Sequence, residues 1–308
     1  MSTPHKDTSI STYLREAIER LKNAGVDNPQ LDARLLFCHA LGIDRTDLLS
    51  QSERILSAHE ASSINALIAR REKRESVARI IGKREFWGLD FALNEATLEP
   101  RPDSETVIEA IISSCPQRRA SHLLSCSNQS ELAPQDTKEN FKILDLGTGT
   151  GCLLLALLHE FPQATGIGID INPRATEQAQ TNAQSLGLGS RAEFRAGSWL
   201  KNITEKFDII VSNPPYIPAN EIPHLMREVR EYDPVLALDG GEDGLAPYRY
   251  LIPQLKDFMK PNGIAAFEVG QGQAQQVADL FRQNCFNNTS VHKDLGGIDR
   301  CVMTVFTE

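Results

Sequence analysis

Apolar positions fall at helical spacing over residues 9–74, and from residue 142 short apolar runs alternate with helical patterns. Ser9 or Ser11 can cap a first helix running to Asn23, with Leu14, Ala17, Ile18 and Leu21 on one face and Gly25 as its stop. Pro29 opens a second helix, with Leu31, Leu35, Leu36 and Leu41 apolar and Gly42 beyond its end. Ser57 to Arg74 reads as a third, carrying Ile64, Leu67 and Ile68 on one side. This pattern predicts a small all-helical domain. Val77–Ile81 and Glu85–Leu93 then read as β, with turn chemistry at Gly88-Leu89-Asp90, and predict a hairpin that links two domains. Phe86, Trp87 and Phe91 cluster there, either as the hairpin's core or as one wall of a substrate pocket.

Seven strands are expected at 142–146, 166–171, 192–196, 207–212, 264–269, 289–295 and 301–306. Helices are expected at 151–160, 174–186, 248–259 and 273–284. Strands alternating with helices in this way predict a parallel sheet covered on both faces, with the last two strands closing as a hairpin. Residues 117–140 are rich in Ser, Gln, Asn and Pro and read as a mobile surface loop.

Composition narrows the class. The 308 residues are 41% hydrophobic and 24% charged, as in soluble globular chains, and suffice for one large domain or two ordinary ones. No apolar run approaches the roughly 18 residues a membrane helix needs, and Met1–Thr8 lacks an apolar signal core. A cytoplasmic location is expected. The six cysteines make no C-x-x-C pair and the seven histidines no ligand pattern, so thiols without disulfides and no metal site are expected. A net charge of −9 argues against extended phosphate-backbone binding. Residues 1–95 carry 14 basic and 14 acidic side chains, so the acidity lies in the remainder. Within that first part Arg70, Arg71, Lys73, Arg74, Arg79, Lys83 and Arg84 face only Glu72 and Glu75 in local sequence. They form either a solvated helix end or a docking patch for an acidic or RNA-rich partner.

Two segments carry chemistry. Asp145-Leu146-Gly147-Thr148-Gly149-Thr150-Gly151 closes a buried strand and opens a helix. Its glycines let the backbone turn sharply and approach a ligand. In an open α/β sheet, ligands bind beyond the carboxyl ends of the strands near such a turn. The G-x-G-x-G spacing favours S-adenosylmethionine over a dinucleotide. Asp170 ends the next strand, where a carboxylate can accept from both ribose hydroxyls; its alternative role is an N-cap for the helix near Pro173. Asp145 either neighbours the cofactor's amino end or braces the glycine loop.

Asn213-Pro214-Pro215-Tyr216 follows the buried strand 207–212. Two prolines fix φ and remove backbone donors, so the loop is stiff. An amide or aromatic exocyclic amine is a poor nucleophile because its lone pair is delocalised. If its N–H groups donate to the Asn213 side-chain oxygen and the Pro214 carbonyl, the nitrogen is held toward a sulfonium methyl. Orientation and electrostatics then supply the rate rather than a strong base. Tyr216 can stack on the planar group.

These segments, the helical N-terminus, the hairpin, Pro100-Arg101-Pro102-Asp103-Ser104-Glu105, Phe267-Glu268-Val269-Gly270 and Asp294-Leu295-Gly296-Gly297-Ile298-Asp299-Arg300 together resemble the bacterial peptide chain release factor glutamine methyltransferases over nearly the whole chain. The resemblance implies an α/β, Rossmann-like class I S-adenosylmethionine-dependent methyltransferase domain at 100–308, with a mostly parallel seven-stranded sheet. It implies a helical bundle at 1–76 that recognises the release factor, and a β-hairpin linker at 77–99. The implied substrate is the glutamine of the Gly-Gly-Gln motif in class 1 release factors. Implied catalytic residues are Asn213, Pro214 and Tyr216. Cofactor contacts fall to Gly147, Thr148, Gly149, Thr150, Gly151, Asp170, Trp199 and Asn213, and substrate contacts to Asn213, Pro214, Pro215 and Tyr216. No metal, no membrane, no direct nucleic-acid contact and a monomer are expected. The chain departs from the family pattern at Ser198, where an acid usually precedes the tryptophan, and at Glu99, where an apolar residue is usual. Arg101 and Glu105 either line the pocket or pair with each other. Rival readings keep the chemistry and change the client: a ribosomal-protein glutamine, or a DNA or RNA base, which should bring a basic cleft. A binding module without turnover is the last alternative, and Asn213→Ala separates it from an enzyme.

Overall fold

The computed structural model describes residues 8–115 and 141–307, so the polar segment 117–140 lies outside the described residues. The described chain divides into two compact units, one of Met1–Lys83 with Met226–Tyr232, the other of Arg84–Leu225 with Asp233–Glu308.

The first unit is helical: α1 (Ile10–Asn23), α2 (Pro29–Leu41), α3 (Arg45–Ser50), α4 (Ala58–Glu72) and α5 (Val77–Ile81). Its boundaries follow local chemistry. The Ser9 hydroxyl accepts from the Thr12 amide at the start of α1, and Ser57 and Glu60 make a reciprocal capping box on α4. Pro29 sits at the first position of α2, and Gly42 ends that helix in the left-handed conformation. Ile10, Leu21, Leu36, Phe37, Ile64 and Ile68 interlock as its core. Val77–Ile81 is a helix rather than the expected strand. Ser76 caps it, Gly82 closes it at φ 82°, and Ala78 and Ile80 are buried. Burial and caps override the β preference of Val77, Ile80 and Ile81.

The basic run is not a free patch. Arg71 is 6% exposed and pairs with Asp32 at 2.8 Å and Glu228 at 3.1 Å. Arg74 also meets Glu228, at 2.7 Å, and Arg70 pairs with Glu75. Three of the seven cations, Arg70, Arg71 and Arg74, are thus paired with acids of the same unit.

A two-stranded hairpin, β1 (Lys83–Phe86) and β2 (Leu89–Ala92), follows, all but Lys83 belonging to the second unit. Phe86 and Phe91 are buried edge to face with centroids 6.2 Å apart, and Trp87 Nε1 donates to Glu160, so the aromatic cluster is core and not a pocket wall. After α6 (Glu105–Ser114) come β3 (Lys142–Leu146), α7 (Cys152–Glu160), β4 (Thr165–Asp170), α8 (Pro173–Ser185), β5 (Ala192–Ala196) and β6 (Phe207–Ser212). The sheet is completed by β7 (Met259–Glu268), β8 (Asn288–Lys293) and β9 (Asp299–Val305), in the order β5-β4-β3-β6-β7-β9-β8. Strands β3 to β7 are parallel, and β9 runs antiparallel to β7 and β8. The expected helix at 248–259 is broken: Ala246–Leu251 and Leu255–Phe258 flank a 3-10 turn, and β7 already starts at Met259.

Period-2 alternation fills both faces. Ile143, Ile209, Val211, Ile264 and Ala266 pack with α6 and α7, whereas Leu144, Ile210, Ala265 and Phe267 pack with the helices of 246–283. After β3 the chain first builds β4 and β5 on one side and then returns to β6 on the other. That reversal is the topological switch point where open α/β sheets bind ligands. Register places Leu146 beside Ser212, and the Ser212 hydroxyl donates to the Leu146 carbonyl at 2.6 Å. The residues that follow, Gly147 and Asn213, therefore leave the sheet side by side.

Candidate active site

A cavity of about 520 Å³ opens at this switch point, a size suited to a nucleoside-like ligand. Gly147, Thr148, Gly149 and Thr150 form part of its wall, with Asp170, Ser198, Trp199, Asn213 and Pro215. The glycine loop is pinned to the neighbouring strand end: the Gly147 and Thr148 amides donate to the Ile169 carbonyl at 2.8 and 2.9 Å. Gly147, Gly149 and Gly151 all have positive φ, which is why glycine occupies these positions. At Gly151 a Cβ would also come within 3.3 Å of Ala179, Leu155 and Phe194, so this glycine packs the loop onto α8 and β5 rather than lining the cavity.

Asp145 is 1% exposed, and its Oδ2 accepts from the Thr148 hydroxyl at 2.6 Å. Of its two expected roles, the bracing of the glycine loop is the one seen. Burial pushes its carboxyl up to about 7. Asp170 accepts the Gly149 amide at 2.9 Å through Oδ2 and the Asn172 amide at 2.9 Å through Oδ1. It is not the N-cap of α8, a task that Asn172 performs. Each carboxylate oxygen keeps a lone-pair site for a further donor. Burial raises its pKa, and these two amides oppose the rise. Trp199 stands in the left-handed region at φ 51°, and a Cβ added at Gly147 would touch its ring at 3.5 Å. Ring and glycine loop therefore face each other closely enough to enclose a flat group.

Asn213 Nδ2 donates to the Ser104 hydroxyl at 3.2 Å, while Oδ1 takes no hydrogen bond from the described residues. Pro214 and Tyr216 are not part of the cavity wall. The Tyr216 hydroxyl donates to Glu268 Oε1 at 3.3 Å, and its backbone carbonyl accepts from Gln273 Nε2 at 2.9 Å. Burial drives the Tyr216 phenol above its ordinary range, with the Glu268 charge adding to the rise. The expectation that Tyr216 stacks on a planar substrate is thus corrected: its ring is turned into the protein as a brace of the loop.

Both family departures acquire partners or surroundings. Glu99 pairs with Arg84 at 3.5 Å on the cavity rim, and Ser198 lines the cavity beside Trp199 without a carboxylate. Arg101 also lines the cavity but pairs with Asp233 at 3.2 Å, while Glu105 accepts the Trp87 amide, so the two do not pair with each other.

Sequence reasoning missed Gly240 and Gly244, which lie against the backbone carbonyls of Pro215 and Tyr216, and missed Gln273. Leu238–Gly241 runs alongside Ile217–Ala219 with hydrogen bonds of 2.9–3.0 Å. The signal was available: the glycines of Asp239-Gly240-Gly241-Glu242-Asp243-Gly244 follow the proline loop closely. Among the described residues no cluster of metal-ligating side chains occurs, and no helix is long and apolar enough to cross a membrane.

Residues 12–82 match the PrmC N-terminal domain family, and residues 137–305 match a methyltransferase domain family. A release factor glutamine methyltransferase of Rhodospirillum rubrum is 46% identical, over 92% of this chain and 81% of its own length. One of Bradyrhizobium diazoefficiens is 45% identical, over 98% and 96%. Among solved structures, the hMettl16 catalytic domain in complex with a 3'UTR hairpin superposes with a TM-score of 0.52 at 13% identity, over 79% of this chain and 82% of that one, a likeness of fold alone. A methyltransferase sheet whose glycine loop and proline loop share one cavity, and relatives of this identity along almost the entire chain, place the protein in the release factor glutamine methyltransferase family.

Proposed function

We propose that the protein transfers a methyl group from S-adenosylmethionine to the side-chain amide nitrogen of the glutamine in the Gly-Gly-Gln motif of class 1 release factors. The observation that carries this reading is the state of Asn213. Its Nδ2 is committed to Ser104, so Oδ1 is left as an acceptor on a cavity it shares with the glycine loop. The residues present fit the cofactor. Gly147–Thr150 and Trp199 can enclose its flat and charged parts, and Asp170 has lone pairs left for ribose hydroxyls. When bound, S-adenosylmethionine supplies an electrophilic methyl on a sulfonium sulfur.

The protein's own part is positioning. Asn213 Oδ1 and the Pro214 carbonyl accept the two N–H groups of the glutamine amide, which fixes its plane and raises electron density on nitrogen. Pro215 closes the wall beside them. Tyr216 acts from behind, by holding the loop through Glu268 and Gln273. We assign recognition of the release factor body to the helical bundle at 1–76 and transfer to 100–308, with the β1–β2 hairpin between them. A monomer in the cytoplasm without direct nucleic-acid contact fits this role.

The test is to incubate the protein with labelled S-adenosylmethionine and a release factor, wild type or with the motif glutamine replaced. Label should appear on the first and vanish on the second. Asn213→Ala should retain cofactor binding and lose about 10²–10³ in kcat, the scale seen when one preorganised polar contact is removed. Label on a ribosomal protein or on nucleic acid instead would overturn the substrate assignment.

A further inference from the structure

Helix α8 buries an alanine face, Ala175, Ala179 and Ala183, yet Asn182 lies among them and is 1% exposed. Burying an amide is unfavourable unless its hydrogen bonds are made, and asparagine is a weak helix former, so packing alone does not account for it. Its carboxamide is fully engaged. Nδ2 donates to the Thr150 carbonyl at 2.9 Å and to the Ala92 carbonyl at 3.1 Å. Oδ1 accepts from the Ala92 amide at 3.0 Å and from Gln178 Nε2 at 3.4 Å. Two donors and two lone pairs are the whole capacity of the group, and both carbonyls can only accept, so a single orientation satisfies it. Two of these bonds hold Ala92, at the end of β2, as a neighbouring strand would. A third reaches Thr150, a residue of the glycine loop that lines the cavity. Beyond Ala92 the chain is held again at Asn94, whose Nδ2 donates to the Arg174 carbonyl of α8 at 2.8 Å. It then supplies Ala96, Leu98, Glu99, Pro100 and Arg101 to the cavity wall. One buried side chain thus joins the glycine loop to the segment that builds another part of the same wall.

We propose that Asn182 is a positioning residue for the cofactor, fixing the glycine loop relative to the wall segment 92–101 and carrying the effect of cofactor binding to the hairpin. This rests on the reading of the glycine loop as the S-adenosylmethionine site and extends it to a residue that does not itself line the cavity. The coupling comes from shared atoms. Both carbonyls use the same NH2 group, so a shift of Thr150 strains or breaks the bond to Ala92, and the reverse holds equally. Helix α8 is a firm support for this bridge. A Cβ at Gly151 would stand 3.2 Å from Ala179, so loop and helix are already in close contact one turn away from Asn182. Truncating Asn182 takes a buried donor from Thr150 while the alanine packing still holds α8 in place, and the loop is then free to relax.

The experiment uses the full-length protein with Asn182→Ala and Asn182→Leu, the second keeping a side chain branched at Cγ. Calorimetry with S-adenosylmethionine reads cofactor Kd, and hydrogen exchange by NMR reads single amides with and without cofactor. Both variants should raise Kd about 10-fold, within the range common for energetic coupling between sites. Their kcat at saturating cofactor should stay within about threefold of wild type, because the proline loop is untouched. Without cofactor, the amides of 147–153 and of Ala92 should exchange several-fold faster than in wild type. In the wild type, cofactor should slow the Ala92 amide beyond any slowing shared with β9, which records only the global stabilisation by a ligand. An unchanged Kd in both variants, a Kd restored by Asn182→Leu, or faster exchange at Ala92 without any in 147–153 would mark a residue that merely holds the hairpin, and each overturns the proposal. The wild-type measurement needs no variant to fold: cofactor protection confined to the glycine loop overturns it as well. A wild type that binds no S-adenosylmethionine, with loop exchange still raised in Asn182→Ala, removes only the cofactor reading and leaves the bridge standing.

Discussion

Replacing Gly240 with alanine tests how far the position of the proline loop governs turnover. Gly240 does not sit in the left-handed region, so the added methyl brings no backbone strain of its own. The obstacle is space: the Cβ would stand 2.9 Å from the Pro215 carbonyl oxygen and 2.8 Å from Gly244 Cα, both backbone atoms. Ordinary contact begins at 3.4 Å, so the Pro215 side must yield by about 0.5 Å. Overpacking of this kind costs about 1–3 kcal/mol. Restricting the unfolded chain returns only about 0.4–1 kcal/mol, so the steric effect wins. A net loss of about 1–2 kcal/mol corresponds to a fall in Tm of about 2–8 °C for a chain of this size. Catalysis should suffer more than stability. A displacement of about 1 Å costs on the order of 10²-fold, so half of that should lower kcat about tenfold. Steady-state methyl transfer to release factor reads kcat, and calorimetry with S-adenosylmethionine reads cofactor Kd, which should hold within about twofold. If Tm falls as expected while kcat stays within twofold of wild type, loop position does not limit the reaction and the positioning argument fails. Gly244→Ala should be worse on both counts, since φ there is +76° and its Cβ would run directly into the Tyr216 carbonyl.

Other parts of the structure make separate predictions. Asp170→Ala removes a carboxylate that holds the Gly149 amide and faces the cavity; hydrogen bonds to charge are worth about 1.5–3 kcal/mol, so cofactor Kd should rise about 10- to 100-fold, and an unchanged Kd would exclude the ribose role. Arg71→Ala leaves Asp32 without its buried partner and should cost about 3 kcal/mol in urea unfolding, whereas Arg71→Met, which keeps the packing of the stem, should cost less; equal losses would show that charge, not packing, holds the site. Glu268, pushed up to about 7 by burial from 4.5, keeps its proton in the folded state across a range where the unfolded chain has lost it. Its contribution therefore favours the fold most at low pH and is lost as pH rises through about 7. Glu268→Gln should then gain on wild type by up to about 3 kcal/mol between pH 5 and pH 8, seen as diverging urea midpoints; parallel midpoints would refute the raised pKa.

What the sequence made legible was local. Ser9, Ser57, Pro29 and Gly42 announce helix ends because each acts on amides or dihedrals within a turn of itself. The glycine loop and the proline loop were legible for the same reason, and the alternating apolar runs revealed which strands are buried on both faces. Misreadings came where a distant partner decides. Val77–Ile81 has a strand's composition, and the burial of Ala78 and Ile80 makes it a helix. The basic run looked unpaired because Asp32 and Glu228 lie far away in sequence. Tyr216 looked like a stacking platform because nothing near it reveals that Glu268, 52 residues on, takes its hydroxyl. Ser104 was visible only as one letter of a family motif, since its relation to Asn213 spans 109 residues.

The path of the chain through Met226–Tyr232 limits how the molecule can be dissected. This stretch, encoded between the proline loop and Gly240, counts with the N-terminal helices and delivers Glu228 to Arg71 and Arg74. A gene fragment stopping at residue 83 would leave both guanidiniums short of a carboxylate, and one starting at residue 84 would carry that carboxylate with nothing to neutralise it. Neither half is a clean module, so swapping the N-terminal helices between relatives requires transplanting seven residues from the middle of the other half as well.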